Sequence, residues 1–231
     1  MVGLGMLPAK GELGLEGSGV VRRVGSEVKH LQTAERVIFL ATPAFSTRII
    51  VPAALVVAIP TDLSLEQAAT VGCAYVTAAY CLMNVGRLEK GQTVLIHSAA
   101  GGVGIAAIML CQMLGVEVFA TVGNLEKAQY LTQRFGIPKE KIFNSRTASF
   151  AAKLLKKTQG QGVDLVLNSL AGDLLLASWD CVAEGGMMVE IGKRDLMGHA
   201  MLPMDKFLAN RSFVGVDILT LARSRPNLVQ G

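Results

Sequence analysis

The chain has 231 residues, which is enough to bury a sizeable core in one large domain or two small ones. Hydrophobic residues make up 51% of it, charged residues 17% and aromatic residues 5%, which is typical of a globular protein and argues against a base-stacking surface. The net charge is only +4 and the basic residues are scattered, so no nucleic-acid patch is indicated.

No membrane or secreted setting is indicated either. The longest apolar stretch, residues 49–59, is interrupted by Pro52 and is too short to span a bilayer, and no secretory signal is recognised at Met1. The four cysteines, at positions 73, 81, 111 and 181, show no CxxC spacing, so neither a zinc ribbon nor a disulfide framework is indicated. We therefore expect a reduced, cytoplasmic setting.

The first part of the chain, residues 1–58, is rich in Gly and Val and predicts short strands at about 17–21 and 36–39. After the turn signal at residues 60–62, Ser64 and Gln67 have the spacing of a capping box, which predicts a helix over about 65–85.

From Gly91 onward, strand-like and helix-like segments alternate. The predicted strands are 93–98, 116–121, 142–144, 163–168 and 187–191, and the predicted helices are 102–114, 125–135, 148–157 and about 173–183. This alternation is typical of a doubly wound α/β fold, in which helices cover both faces of a parallel sheet. In such sheets, ligands bind at the carboxyl ends of the strands.

A glycine-rich turn over residues 98–104 connects the first of these strands to its helix. Such a turn, followed by a helix N-terminus, can close on the pyrophosphate of a dinucleotide. The first glycine of the usual pattern is replaced by Ala99, and a tight turn with no ligand would use the same glycines. The order strand, turn, helix, strand favours the dinucleotide interpretation.

The residues after the second strand favour NADPH over NADH. An NAD site places Asp or Glu there, whereas this chain has the neutral Thr121, followed by Gly123 and, in the next helix, Lys127. Arg146 is a further candidate ligand for a 2′-phosphate. Each of these cations could instead be an ordinary surface charge, and Glu126 beside Lys127 weakens the argument.

Polar groups also follow two other apolar strands directly, in residues 168–172 and 192–195. Ordinary loop polarity explains either segment alone, but both at strand ends favour a ligand there.

Four segments resemble the medium-chain dehydrogenase/reductase superfamily, and more narrowly the enoyl reductase domains of polyketide synthases, notably the highly reducing fungal type, and of fatty acid synthases. They read LGLEGSGVV at residues 13–21, VLIHSAAGGVG at 94–104, VDLVLNSLAG at 163–172 and EIGK at 190–193. The resemblance implies a Rossmann NADPH-binding domain over residues 59–217 and a partial, β-rich GroES-like substrate domain over 1–58, to which residues 218–231 begin to return. Family members begin earlier and continue further, so we expect both ends of that domain to be missing.

The implied activity is NADPH-dependent reduction of an α,β-unsaturated acyl thioester to the saturated thioester. Its implied partners are an acyl carrier protein with a phosphopantetheine-bound enoyl chain, neighbouring synthase domains and a second copy in a homodimer. Two alternatives remain open at this point: a stand-alone NADPH quinone or enone reductase, and a catalytically inactive domain that binds its neighbours.

The resemblance also assigns residues. Lys193 is the candidate proton or hydrogen-bond donor, with a surface lysine as the alternative, and Asp217 matches an acidic position that pairs with such a lysine. The matched cofactor positions are Ala100, Gly101, Gly102, Val103 and Gly104 at the pyrophosphate, Asn168, Ser169 and Leu170 on the nicotinamide side, Thr77 near the nicotinamide ribose, and Gly123, Lys127, Ser145 and Arg146 on the adenosine-phosphate side.

No metal site is expected. Zinc-dependent relatives have a His before the glutamate of the first segment, with a Cys ligand upstream, whereas here Leu15 precedes Glu16 and no Cys precedes Cys73. Glu16 is then expected to be structural. His97 is likewise expected to support the glycine turn rather than to act as a base.

Overall fold

The computed structural model describes residues 13–229 and divides into two compact units. The smaller unit contains residues 13–77 and 217–229, and the larger unit contains residues 78–216. Residues 1–12 and 230–231, which the sequence assigns to the substrate domain, lie outside the described residues. The sequence-based domain boundaries at 58/59 and 217/218 stay predictions.

The strands and helices alternate through most of the chain. The strands are β1 (Glu16–Val20), β2 (Arg36–Leu40), β3 (Val56–Ala58), β4 (Thr93–Ile96), β5 (Glu117–Val122), β6 (Ile142–Asn144), β7 (Val163–Asn168), β8 (Val182–Glu190) and β9 (Ser212–Gly215). The α-helices are α1 (Leu65–Ala68), α2 (Gly72–Ala79), α3 (Gly102–Leu114), α4 (Leu125–Phe135), α5 (Ser149–Lys157), α6 (Asp173–Asp180), α7 (Arg194–Met197) and α8 (Ile218–Ser224). A π-helical segment follows α2 at Tyr80–Val85, and short 3₁₀ segments lie at Ala53–Leu55, Lys139–Lys141, Met204–Ala209 and Pro226–Val229.

The larger unit is built on a six-stranded sheet with the order β6-β5-β4-β7-β8-β9, in which each neighbouring pair is parallel. This is the doubly wound order, in which the chain reverses direction across the sheet between β4 and β7. The predicted α/β Rossmann fold is therefore confirmed. The reversal places a crevice at the carboxyl ends of β4 and β7, where ligands bind in such sheets.

Apolar strands and helix faces form the core of this unit. The three residues Val94–Ile96 of β4 are fully buried, as the central position of the strand requires. Trp179 of α6 is also fully buried, and it packs against Phe207 and Phe213 with ring centroids 5.2 and 6.1 Å away.

Helices α3 and α4 have the bounds that the sequence predicts, because both end at a glycine in the left-handed conformation. Strand β8, by contrast, begins at Val182 rather than at 187. The register of β8 against β7 shifts between Val163 and Leu165. In the sequence, Gly185 and Gly186 interrupt the apolar pattern, so the pattern predicts only the second part of the strand.

The smaller unit contains a three-stranded antiparallel sheet with the order β1-β2-β3. The predicted capping box is present: Ser64 accepts from the Gln67 N–H, and Gln67 accepts from the Ser64 N–H. The single helix predicted over 65–85 was wrong, because the chain leaves α1 after Ala68 and starts α2 anew at Gly72. No helix of the described residues is both long and apolar enough to cross a membrane.

Candidate functional site

A cavity of about 410 Å³ lies in the larger unit, where β4, β5, β6 and β7 end. Seven predicted cofactor positions line it: Ala100, Gly101, Gly123, Lys127, Ser145, Arg146 and Leu170. Ser98, Val122 and Leu174 complete the lining. The cavity therefore joins segments that are up to 76 residues apart in sequence (Ser98 to Leu174), at the edge of the sheet where the fold positions ligands.

The glycine turn brings the backbone of α3 unusually close to the end of β4. A Cβ on Gly104 would stand 2.6 Å from backbone atoms of Ala99, so only glycine permits this approach. Gly101 precedes the first residue of α3, and the first N–H groups of a helix lack an acceptor within it. These donors and the positive end of the helix dipole form an anion-binding feature at the cavity.

Two cations and a hydroxyl line the cavity together with Gly123, which has no side chain. A Cβ on Gly123 would lie 3.1 Å from Nε and 3.2 Å from Nη2 of Arg146. Asn124 accepts from the Lys127 N–H at 2.9 Å and so caps α4, which places Lys127 in the first turn. None of the described residues that line the cavity is acidic, so this end suits an anion.

Thr121 does not occupy the position that the sequence analysis gave it. It is fully buried, and its hydroxyl hydrogen-bonds the Nδ1 of His97 at 2.8 Å. Strand β5 continues to Val122, so the neutral residue at the cavity is Gly123 instead. The absence of an acid at this end of the cavity thus depends on Gly123, not on Thr121.

His97 is enclosed beneath the glycine turn. The Ser178 hydroxyl donates to the Leu174 carbonyl, so the His97 Nε2–H must donate to Ser178, at 2.8 Å, and Nδ1 accepts from Thr121. Burial lowers the pKa of His97 to about 3, and the ring is neutral at physiological pH. With only 3% of its surface exposed, it has the surroundings of a structural residue.

A buried carboxylate, Glu190, lies at the end of β8 opposite Asn168 in the β7–β8 register. Asn168 donates from Nδ2 to Oε2 of Glu190, and the Gly192 N–H donates to Oε1. Burial raises the pKa of Glu190 to about 7, although these hydrogen bonds act in the opposite direction. The sequence analysis did not assign Glu190 a role; the signal was a lone acid at the end of an apolar strand.

Three other predicted positions, Ser169, Lys193 and Asp217, are held by contacts outside the lining of the cavity. Ser169 hydrogen-bonds Ser98, with 3.0 Å between their hydroxyl oxygens. Lys193 is half-buried and directly precedes α7. Asp217 caps α8 by accepting from the Leu219 N–H at 3.2 Å. Since Asp217 and Thr77 belong to the smaller unit, the Lys193–Asp217 pair and the ribose contact of Thr77 stay predictions.

The donor set near Glu16 does not fit a zinc ion. Oε2 of Glu16 accepts from the Cys73 N–H at 2.6 Å, so this carboxylate caps the start of α2. Burial, together with the Glu16 charge, raises the pKa of the Cys73 thiol to about 12, which opposes the thiolate that zinc requires. Within residues 13–229, no three His, Cys, Asp or Glu side chains come together as a metal site would need.

The chain matches one family model, and it is similar both to polyketide synthases and to solved structures of enoyl reductases. The family model described as zinc-binding dehydrogenase matches residues 102–230. The highly reducing polyketide synthase gloL of Glarea lozoyensis is 52% identical over 230 residues, which are 99% of this chain and 9% of the synthase. This chain thus spans about a tenth of the length of that relative.

Solved structures of enoyl reductases are also similar to this chain. The crystal structure of the CurK enoyl reductase superposes with a TM-score of 0.81 at 35% identity, covering 93% of this chain and 63% of that one. The nucleotide-binding subdomain of the enoylreductase domain of PpsC from Mycobacterium tuberculosis superposes with a TM-score of 0.61 at 39% identity. That match covers 68% of this chain and 88% of the subdomain.

Proposed function

This chain belongs to the zinc-binding dehydrogenase family and, within it, to the enoyl reductase domains of polyketide synthases, and on that premise we propose that it reduces an α,β-unsaturated acyl thioester with NADPH. The resemblance drawn from the sequence is thereby confirmed. Enoyl reductase domains are oxidoreductases that act on carbon–carbon double bonds; the substrate of this chain and its choice of NADPH are the proposal.

One observation carries the proposal: a single cavity is lined both by the start of α3, which suits an anion, and by two cationic side chains and a serine. The N-terminus of α3 suits the pyrophosphate. Lys127, Ser145 and Arg146 suit the 2′-phosphate that distinguishes NADPH from NADH. Leu170 and Leu174 supply apolar side chains to the lining of the same cavity.

When bound, NADPH supplies the hydride that the β-carbon of the enoyl thioester accepts. The residues of the chain must then manage the negative charge that develops on the thioester oxygen and the proton that the α-carbon needs. Lys193, at the end of β8, holds a proton on Nζ that serves either purpose. We assign it as the donor, with Asp217 as its proposed acidic partner.

The proposed partner is an acyl carrier protein that presents the enoyl chain on phosphopantetheine. Neighbouring synthase domains follow from the similarity to a polyketide synthase ten times longer than this chain. A homodimer and a cytoplasmic location belong to the same proposal. The four cysteines are free thiols, three of them buried, which suits a reducing compartment.

The test is a titration of the chain with NADPH and NADH, followed by turnover of a crotonyl thioester of pantetheine. We expect NADPH to bind at least about 10-fold more tightly, since hydrogen bonds to a charged group are worth roughly 1.5–3 kcal/mol. Equal binding of the two nucleotides would contradict the cofactor assignment. Turnover of quinones in preference to the thioester would favour a stand-alone quinone reductase, and NADPH binding without turnover would favour an interaction domain.

A further inference from the structure

The carboxylates of Glu190 and Asp195 connect two segments: residues 168–172, which begin at the last residue of β7, and residues 190–195, which begin at the last residue of β8. Glu190 accepts from Asn168 at the start of this region, and Oδ2 of Asp195 accepts from the Gly172 N–H at 2.7 Å at its far end. Lys193 lies between these two acids in sequence. Residues 168–172 and 190–195 are thus held to each other on both sides of the proposed proton donor.

The orientation of Asn168 requires Glu190 to act as an acceptor. The Asn168 Nδ2 donates to the Leu170 carbonyl at 2.9 Å, and its Oδ1 accepts from the Leu170 N–H at 3.3 Å. Turning the amide over would break both bonds, so the face presented to Glu190 is the N–H. The Gly192 N–H is the second donor to this carboxylate. An ionised Glu190 accepts from both N–H groups, whereas a protonated Glu190 carries a hydrogen of its own that has no acceptor between these two donors.

Close packing transmits this contact toward the cavity. The Ile191 N–H donates to the Asn168 carbonyl at 3.0 Å, so the two segments touch through their backbones. Ser169 in turn hydrogen-bonds Ser98, which lines the cavity at the glycine turn. A continuous set of contacts therefore leads from the residue before Lys193 to the cofactor cavity.

We infer that Glu190 is a positioning residue: its ionised carboxylate fixes the backbone before Lys193 against the Asn168–Leu170 segment, and so aligns the proton donor with the nicotinamide side of the cavity. The inference rests on the proposed function. Glu190 does not touch the reacting atoms; it acts through Gly192 and Asn168.

The ionisation of Glu190 gives this role a signature. Burial and the neighbouring charge of Asp195 raise the pKa of Glu190, while the Asn168 and Gly192 hydrogen bonds lower it, and the balance lies at about 7. Turnover that depends on the carboxylate form should therefore decline as the pH falls through about 7. Glu184, an exposed acid in the same strand, offers a matched control.

The experiment compares wild type, Glu190→Gln and Glu184→Gln in NADPH-dependent reduction of a crotonyl thioester between pH 6 and pH 8. For Glu190→Gln we expect kcat to fall roughly 10- to 100-fold, the range that a displacement of about 1 Å produces, while the KM for NADPH stays within about threefold. The decline of wild-type kcat below pH 7 should vanish in Glu190→Gln and persist in Glu184→Gln. An unchanged kcat in Glu190→Gln, with the acid decline retained, overturns the inference.

A further measurement separates positioning from simple destabilisation. Hydrogen exchange of residues 168–172 and 190–195 needs no turnover, and we expect protection in wild type to rise as the pH increases through about 7, once intrinsic rates are corrected. If wild type reduces no enoyl thioester, the proposed function fails, and a flat exchange profile then overturns the role of Glu190 as well.

Discussion

The guanidinium of Arg146 lies against the α-carbon of Gly123, so closely that a Cβ on residue 123 would stand 3.1 Å from Nε. Arg146 is held there from its own backbone, since its N–H donates to Oδ1 of Asn144 at 2.7 Å at the end of β6. The absence of a side chain at residue 123 thus leaves room for the cation at the part of the cavity that we assign to the adenosine phosphate.

Replacing Arg146 by Ala should therefore weaken NADPH binding and leave NADH binding nearly unchanged. Loss of one charge-assisted contact to a phosphate predicts a Kd for NADPH that is roughly 10- to 100-fold higher. Nucleotide fluorescence titration measures both constants. Arg134→Ala is the control, because this exposed arginine lies in the last turn of α4, about 10 Å along the helix from Lys127. Equal weakening of both nucleotides in Arg146→Ala would speak against phosphate recognition.

Gly104→Ala should destabilise the larger unit and impair cofactor binding together. The added Cβ would meet backbone atoms of Ala99 at 2.6 Å, and neither segment can yield without moving α3 away from β4. We expect the free energy of unfolding to fall by about 2–3 kcal/mol, the usual cost of overpacking. Urea unfolding followed by the fluorescence of Trp179, the single tryptophan, measures it.

Gly19→Ala serves as the control for that substitution. Among the described residues, no heavy atom outside Gly19 and its two chain neighbours lies within 4 Å of the Cβ position, so this change should leave the unfolding of the larger unit where it was. Wild-type stability in Gly104→Ala would show that the turn has room that the structure does not indicate.

Local signals in the sequence predicted the elements with clear ends. Helices α3 and α4 matched their predicted bounds because glycine both permits and marks the left-handed residue that ends them. Thr121 shows the limit of that approach: the pattern predicted the end of β5 one residue too early, and nothing in it indicated that Thr121 is buried against His97 whereas Gly123, two residues later, lines the cavity.

Glu190 shows a second limit. Its role depends on Asn168, which precedes it by 22 residues, and their adjacency is created only by the register of β7 against β8. That register contains a shift near Gly185 and Gly186 that no local pattern reveals. The glycine turn between β4 and α3 is continuous in sequence and was predictable, whereas this buried network is not.

The stability conferred by His97 should depend on pH in a direction set by its burial. The folded state lowers the pKa of His97 from 6.5 to about 3, so it binds fewer protons than the unfolded chain. The contribution of His97 is fully present above pH 6.5 and is lost as the pH falls toward 3. The stability difference between wild type and His97→Gln should therefore shrink by about 2 kcal/mol between pH 7.5 and pH 5.

Urea unfolding at a series of pH values measures this difference. His199→Gln is the control, because His199 is exposed and its variant should follow wild type at every pH. A constant difference between wild type and His97→Gln would mean that His97 takes up protons in the folded state as readily as in the unfolded chain.

Glu16→Gln should lower stability without any effect on metal content. The carboxylate accepts from the Cys73 N–H at the start of α2, and loss of such a cap costs about 1 kcal/mol. Thermal unfolding measures the loss, with Glu27→Gln, an exposed acid of the same unit, as the control. A zinc chelator should change neither the stability nor the turnover of wild type; a loss of either on chelation would contradict the structural role of Glu16.

Lys193→Ala should separate proton delivery from cofactor binding. A general acid contributes about 100-fold or more, so we expect kcat to fall by at least that factor while the Kd for NADPH stays within about twofold. In D₂O, each turnover adds one deuteron to the α-carbon; wild type should add it to one face only, whereas Lys193→Ala should give a mixture of the two stereoisomers, because water then supplies the deuteron without a fixed direction. Lys153→Ala, at an exposed position of α5, should behave as wild type. If Lys193→Ala keeps both its turnover and its stereochemistry, this lysine is not the sole proton donor, and the donor lies elsewhere. The proposed binding of NADPH in the cavity would be unaffected, because it depends on Arg146 and Lys127.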